Sequence, residues 1–82
     1  MEYSISKNDK EIIELIDVSS INAKPQIIEA TNEIKLVVPD EEKEEFMICF
    51  NEAIVLFGLD NQDNVNMLGK RMYALYDKIL NA

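Results

Sequence analysis

The sequence contains no histidine and no tryptophan, and it has only one cysteine, two glycines and two prolines. Without histidine, neither a Ser-His-Asp nor a Cys-His arrangement can form, and the commonest general base of enzymes is missing. A zinc site needs clustered cysteines and histidines, which are also missing. Two isolated glycines exclude a glycine-rich phosphate loop. These absences point away from an enzyme and predict neither a metal nor a cofactor.

The single cysteine, Cys49, excludes an internal disulfide and is natural in a reducing compartment. The first residues, Met-Glu-Tyr-Ser, lack the basic and apolar regions of a signal peptide. The longest apolar stretches, 46–50 and 53–57, are far shorter than the roughly 20 residues of a membrane helix. We therefore expect a cytoplasmic protein, either of a cell or of a virus in its host's cytoplasm.

Acidic side chains dominate the charge of the 82 residues. The formal net charge is −8 and the sequence pI is about 4.3. Residues 1–63 carry five lysines against fifteen Asp and Glu, a charge of −10, whereas residues 64–82 carry three cations against one Asp, a charge of +2. Such a protein repels nucleic acid and anionic membranes and attracts basic proteins. The positive end is either a contact between two copies or a salt-bridged face.

The pattern predicts a single domain, 1–82, that divides near Pro39. In the mixed segment 1–38, residues 9–18 are either a short helix, capped by Asn8 and running to about Asp17, or a strand rich in β-branched residues. The apolar runs 26–30 and 33–38 flank Thr31 and Asn32, which predicts a β-hairpin with a tight turn.

Segment 40–82 predicts a helical hairpin. Asp40 is the expected cap of its first helix, and Gly58 is expected to end that helix in a left-handed conformation. Asp63 or Asn64 is expected to cap the second helix, which runs to about Leu80. The inner faces follow a helical period and comprise Phe46, Phe50, Ala53, Ile54 and Phe57, then Val65, Leu68, Gly69, Met72, Leu75, Tyr76 and Ile79.

The expected fold class is therefore α+β, with an N-terminal helix or strand, a β-hairpin and a C-terminal antiparallel pair of helices. Gly69 lies inside a helix, where it is unfavourable, and this indicates a close approach between the two helices.

The first helix of the pair is apolar on more than one side, which a small monomer has little surface to cover. This excess predicts a homodimer whose interface contains Met47, Ile48, Val55 and Leu56.

The acidic run at 40–45 is the most informative feature. A solvated helix start, stabilised by the helix dipole, explains it without any function. A docking surface is the alternative, because Glu41 and Glu45 would lie about 6 Å apart, close to the spacing of successive phosphates on a DNA strand. The predicted partner-binding residues are Glu41, Glu42, Glu44, Glu45 and Glu52, with Glu11, Glu14 and Asp17 as a second row if that segment is helical.

The preferred hypothesis is a non-enzymatic inhibitor that binds a basic protein, such as a nucleoid or transcription protein, by presenting a DNA-like negative surface. It resembles small acidic bacteriophage inhibitors in charge and size alone. The alternative is an assembly or adaptor protein whose binding surface is apolar. That surface would comprise Met47, Ile48, Val55, Leu56, Met67 and Tyr73.

Overall fold

Three short antiparallel strands form the sheet of the computed structural model, which describes residues 1–62 and 64–81. The strands are β1 (Glu2–Ile5), β2 (Gln26–Glu29) and β3 (Ile34–Val37), in the spatial order β1-β3-β2. The predicted hairpin is confirmed by β2 and β3, which pair in antiparallel register. Strand β1 was not predicted, since four residues carry too little pattern to recognise.

The hairpin turn is as tight as expected. Ala30 and Glu33 exchange backbone hydrogen bonds of 2.7 and 3.5 Å across Thr31 and Asn32. On one face of the sheet, the directly paired residues Tyr3, Leu36 and Ile27 pack in or against the core. Because successive side chains of a strand point to opposite faces, this is the face of the sheet that lies toward the core.

The N-terminal segment contains a helix, α1 (Lys7–Ile13), in addition to strand β1. Its cap is Ser6, not Asn8 as expected. Ser6 Oγ accepts from the Asp9 amide at 3.1 Å, and Asp9 Oδ2 accepts from the Ser6 amide at 3.2 Å. This reciprocal capping box satisfies two backbone donors, which Asn8 alone could not do. The helix ends at Ile13, short of the expected Asp17.

A 3₁₀ turn (Asp40–Glu42) leads into helix α2 (Lys43–Phe57). The expected cap at Asp40 is wrong, because its side chain makes no capping hydrogen bond. Its Oδ1 instead lies 2.9 Å from the N-terminal ammonium of Met1. The inner stripe of α2 is buried as predicted, except at its last position, where Phe57 is exposed.

Helix α3 (Met67–Leu80) is capped by Asn66, whose Oδ1 accepts from the Gly69 amide at 2.7 Å. Asn64 is therefore not the cap, and Asp63, the other expected cap, lies outside the described residues. Val65, expected on the inner face of the helix, instead forms an isolated β-bridge with Leu59.

Helices α2 and α3 pack together as an antiparallel pair at two glycines. A Cβ on Gly69 would lie 2.1 Å from the Gly58 carbonyl oxygen, so the predicted close approach is confirmed. Gly58 follows the last residue of α2 as predicted, but its φ of −95° is not left-handed. Glycine is required there by the nearness of Gly69 rather than by the backbone conformation.

One continuous core joins both halves of the chain. It combines sheet residues, α1 residues and the inner faces of α2 and α3. Its largest fully buried side chains are Phe46, Phe50, Ile12, Ile21, Leu36, Ile54, Met72, Ile79 and Val38. No helix among the described residues has the length and apolar character needed to cross a membrane.

Candidate functional site

Four of the five predicted glutamates of α2 and its preceding turn surround one shallow groove. Glu41, Glu42, Glu44 and Glu45 line it, together with Ser20, Asn22 and Ile48. The 3₁₀ turn and the first turn of α2 hold them, and α2 carries Phe46 and Phe50 on its buried side. The buried face of α2 therefore sets the side of the molecule on which these glutamates lie.

The loop before the hairpin supplies the other wall of this groove. Ser20 Oγ donates to Glu45 Oε1 at 3.4 Å and lies 3.6 Å from the buried thiol of Cys49. Glu42 and Glu45 are half-buried, whereas Glu41 and Glu44 are exposed. We call these four glutamates the acidic face.

Three of the described cations bond backbone carbonyls away from the acidic face. Lys24 donates to the backbone carbonyls of Val18, Ser19 and Ile21. The side chains of Lys78 and Arg71 reach carbonyls of the N-terminal segment, those of Ser4 and Asn8. Among residues 1–62 and 64–81, no cationic group lies within 4.0 Å of a carboxylate of the acidic face.

The predicted N-terminal carboxylates do not extend the acidic face as one helical row. Glu11 and Glu14 line a different cleft, beside Lys7 and Lys10. Lys10 Nζ lies 3.8 Å from Glu14 and forms a closer ion pair with Glu29. Since α1 ends at Ile13, the condition for a helical row through Asp17 is not met.

Hydrogen bonding shifts the pKa of three groups in this N-terminal region. The hydrogen bond between Lys10 and Glu29, with their mutual attraction, raises the pKa of Lys10 and lowers that of Glu29. The Ser19 amide, 3.0 Å from Asp17 Oδ1, lowers the pKa of Asp17. Glu29 and Asp17 are therefore already used in contacts within the chain.

Glu52, the fifth predicted glutamate, lies farther along α2 and lines a second groove, between α2 and α3. Its lining residues are Asp40, Lys43, Glu44, Met47, Ile48, Asn51, Glu52, Tyr76 and Leu80. We call it the α2–α3 groove. Glu44 belongs to both grooves, so the carboxylates continue from the acidic face into this second site.

The residues predicted for a dimer interface divide into two groups. Met47 is only 6% exposed and belongs to the core, so it adds little to an outer surface. Ile48, Val55 and Leu56 are 49%, 56% and 73% exposed. Met67 and Tyr73, named for the adaptor alternative, are exposed on α3.

Sequence reasoning missed the part that α3 plays in the site. Tyr76 was assigned to the inner face of α3 and Leu80 only to its end, yet both line the α2–α3 groove. Their spacing of four residues places them on one side of the helix. The sequence shows that Tyr76 and Leu80 share one side of the helix, but it does not show which part of α2 that side faces.

In the described part of the chain, no group of three or more Asp, Glu or Cys side chains is arranged to hold a metal ion. Cys49 is buried in the core, as expected for a small apolar residue. Carboxylates and apolar side chains are what these surfaces offer to another molecule.

Comparison with known protein families, curated proteins and solved structures gives no match for this chain.

Proposed function

We propose that this protein is a non-enzymatic binding protein whose acidic face, extended by Glu52, docks onto a basic protein and blocks that protein's nucleic-acid-binding surface. The supporting observation is the grouping of Glu41, Glu42, Glu44 and Glu45 around one groove, with no described cation within 4.0 Å of their carboxylates. Carboxylates grouped in this way attract the cations of a partner.

Two structural elements hold these carboxylates on one side of the molecule. Glu41 and Glu42 lie in the 3₁₀ turn, and Glu44 and Glu45 lie in the first turn of α2. Farther along α2, Glu52 lies about two turns, or about 12 Å, from Glu44. A DNA-binding protein, such as a nucleoid or transcription protein, would meet several carboxylates grouped on one surface.

Competition with DNA tests this function. Purified basic DNA-binding proteins are loaded with a fluorescent duplex, and release of the duplex is followed by anisotropy as this protein is added. We expect release from at least one such protein at low salt. Direct binding of this protein to the same partner, measured without DNA, should weaken at high salt because charge pairs near a surface are screened. Direct binding that does not depend on salt would contradict the proposal.

A matched pair of triple variants separates a local surface from net charge. One carries Glu41→Gln, Glu44→Gln and Glu52→Gln, and the other carries Glu2→Gln, Glu11→Gln and Glu33→Gln; all six residues are exposed. Both lose the same charge. We expect the first variant to lose most DNA release and the second to keep it. Equal loss in both would mean that only net charge matters.

A second candidate function, assembly through an apolar surface, is favoured by the exposed side chains Val55 and Leu56 on α2. In this reading two copies of the chain form a homodimer, or the surface holds a neutral partner as an adaptor. Sedimentation equilibrium tests the dimer, with Leu56→Glu expected to shift it to monomer. A monomeric native protein would remove the homodimer and leave only the adaptor.

The proposed site of action is the cytoplasm of a cell, or of the host cell if the protein is viral. The chain's only cysteine is an unpaired thiol in the core, which suits a reducing compartment. A basic DNA-binding partner is found in the same compartment in bacteria.

A further inference from the structure

The α2–α3 groove combines an apolar floor with an acidic rim. It encloses about 720 Å³ between the outward side of α2 and the end of α3. Its apolar lining residues are Met47, Ile48, Tyr76 and Leu80. Ile48 and Leu80 are about half exposed, at 49% and 50%, so the groove leaves apolar surface in water that a partner would cover.

The walls of the groove are held by the core. The ring of Tyr76 meets the ring of Phe50 edge-on, with centroids 5.6 Å apart, and Phe50 is fully buried. Met47 is also buried at the base of the groove. A partner therefore meets a surface that is already formed and loses little free energy to ordering it.

The rim carries two carboxylates that face the groove without a described ion pair. Glu44 and Glu52 lie on either side of Ile48 at four-residue steps, about 12 Å apart along the helix. Of the other charged lining residues, Asp40 pairs with the Met1 ammonium and Lys43 lies over the ring of Tyr3. The groove thus favours an occupant with two cations at that separation.

The backbone around the groove decides the form of the occupant. The described lining residues of the groove lie on α2, on α3 and, for Asp40, in the 3₁₀ turn, and none of them belongs to a strand. The inner backbone groups of the two helices are bonded within each helix. An extended peptide would find no backbone partners over the apolar floor, and its own N–H and C=O groups would be unpaired. A helix satisfies those groups itself, as in other complexes that seat a helix in a groove.

We infer that the α2–α3 groove binds an amphipathic basic helix of the partner. Two apolar side chains one turn apart pack on Ile48 and Leu80, and two Lys or Arg residues about two turns apart pair with Glu44 and Glu52. This inference rests on the proposed function, because it names the part of the basic partner that the negative surface holds.

Synthetic peptides of leucine, lysine and alanine test the inference. The first, about 18 residues long so that a helix can form, places leucines on one face and lysines beside them. The second has the same composition in a shuffled order that gives no apolar face. Binding of each fluorescent peptide to the full chain is measured by anisotropy. We expect the first peptide to bind at least about tenfold more tightly, a difference of about 1.4 kcal/mol.

Variants of the chain locate the binding. Ile48→Asn and Leu80→Asn should each weaken binding of the amphipathic peptide about tenfold. Ile28→Asn, the same change at a residue of β2 that is 48% exposed and lies outside the groove, should leave it within about twofold. The pair Glu44→Gln and Glu52→Gln should weaken binding and reduce its dependence on salt. Circular dichroism confirms that each variant is folded.

The outcomes separate this inference from the proposed function. If both peptides bind equally and Ile48→Asn has no effect, the groove inference is wrong while binding of basic partners stands. If neither peptide binds even at low salt, both proposals fail. If Ile48→Asn converts a native dimer to monomer, the occupant is a second copy of the chain and the inference is overturned.

Discussion

The replacement Gly69→Ala tests the packing of α2 against α3 most directly. An added Cβ would lie 2.1 Å from the Gly58 carbonyl oxygen and 2.9 Å from Val65 Cγ1. An ordinary contact of this kind is at least 3.4 Å, so the helices must separate by about 1.3 Å, the difference between 3.4 and 2.1 Å. A gap of this size removes a large part of the dispersion contacts along the pair.

The expected loss of stability follows from two opposing effects. Overpacking against a rigid neighbour costs about 1–3 kcal/mol, and backbone atoms place this site at the upper end. Alanine recovers at most about 1 kcal/mol relative to glycine, the value for a helix interior, because Gly69 lies in the first turn of α3. We therefore expect Gly69→Ala to lower the free energy of unfolding by about 2 kcal/mol. For a domain of this size that corresponds to a fall in Tm of about 8–16 °C.

Thermal and urea unfolding, followed by far-ultraviolet circular dichroism, measure this change. Ala74→Gly is the matched control, because Ala74 is an exposed position of the same helix and reports the glycine penalty without a packing change. The decisive result is whether Gly69→Ala lowers or raises the free energy of unfolding. If Gly69→Ala stabilises the protein by about the amount that Ala74→Gly destabilises it, Gly69 does not hold the helices close and the packing described above is wrong.

Gly58 provides an independent check on the same contact. Its φ of −95° is accessible to alanine and asparagine alike, so any cost of substitution is steric. A Cβ there would lie 2.8 Å from Gly69 Cα and from the Ile54 carbonyl oxygen. Asparagine, which tolerates left-handed backbone, should therefore be no better than alanine, whereas a left-handed cap would favour it.

Three further predictions concern local interactions. Asn66→Ala should cost about 1 kcal/mol in urea unfolding through loss of the α3 cap, while Asn66→Asp, which keeps the acceptor for Gly69, should cost less; equal losses would contradict the cap. Lys24→Met should cost about 1 kcal/mol because three carbonyls lose their donor, whereas Lys70→Met on exposed α3 should cost nothing measurable. Glu29→Gln should lower Tm at neutral pH, because it removes the ion pair with Lys10. Folding lowers the pKa of Glu29, so the ionised carboxylate stabilises the folded protein fully at pH values above its pKa in the unfolded chain, about 4.3. This stabilisation is lost as the pH falls through the lower pKa of the folded protein. The Tm of Glu29→Gln and of the native protein should then converge in strong acid, and a constant difference would refute this.

Periodicity predicted the elements whose pattern is long or repeated. Helices α2 and α3 extend over 15 and 14 residues, long enough for a buried stripe to recur over several turns. The hairpin was predictable because its turn and its alternation are both local. Strand β1 has only four residues and becomes a strand through pairing with β3, which no local pattern reveals.

The helix ends were the least predictable part of the fold. Several polar residues that can cap a helix precede α1 and α3, and the cap is the residue whose side chain can satisfy most of the free backbone N–H groups. At α1 the cap is Ser6 and not Asn8, because Ser6 and Asp9 each accept a hydrogen bond from the other's backbone amide. Asn66 both accepts from Gly69 and donates to the Phe57 carbonyl oxygen, at 3.1 Å, which ties the start of α3 to the end of α2.

The sequence alone determined that carboxylates at 41–45 would cluster, since residues one turn apart on a helix are neighbours whatever surrounds them. It also determined the α+β class, because the apolar spacing of each segment suits one kind of backbone. Only the tertiary structure decided that Glu11 and Glu14 line a different cleft, and that Tyr76 and Leu80 join Ile48 in a groove. Such relations depend on how separate elements pack, and packing is set by contacts between residues far apart in the chain.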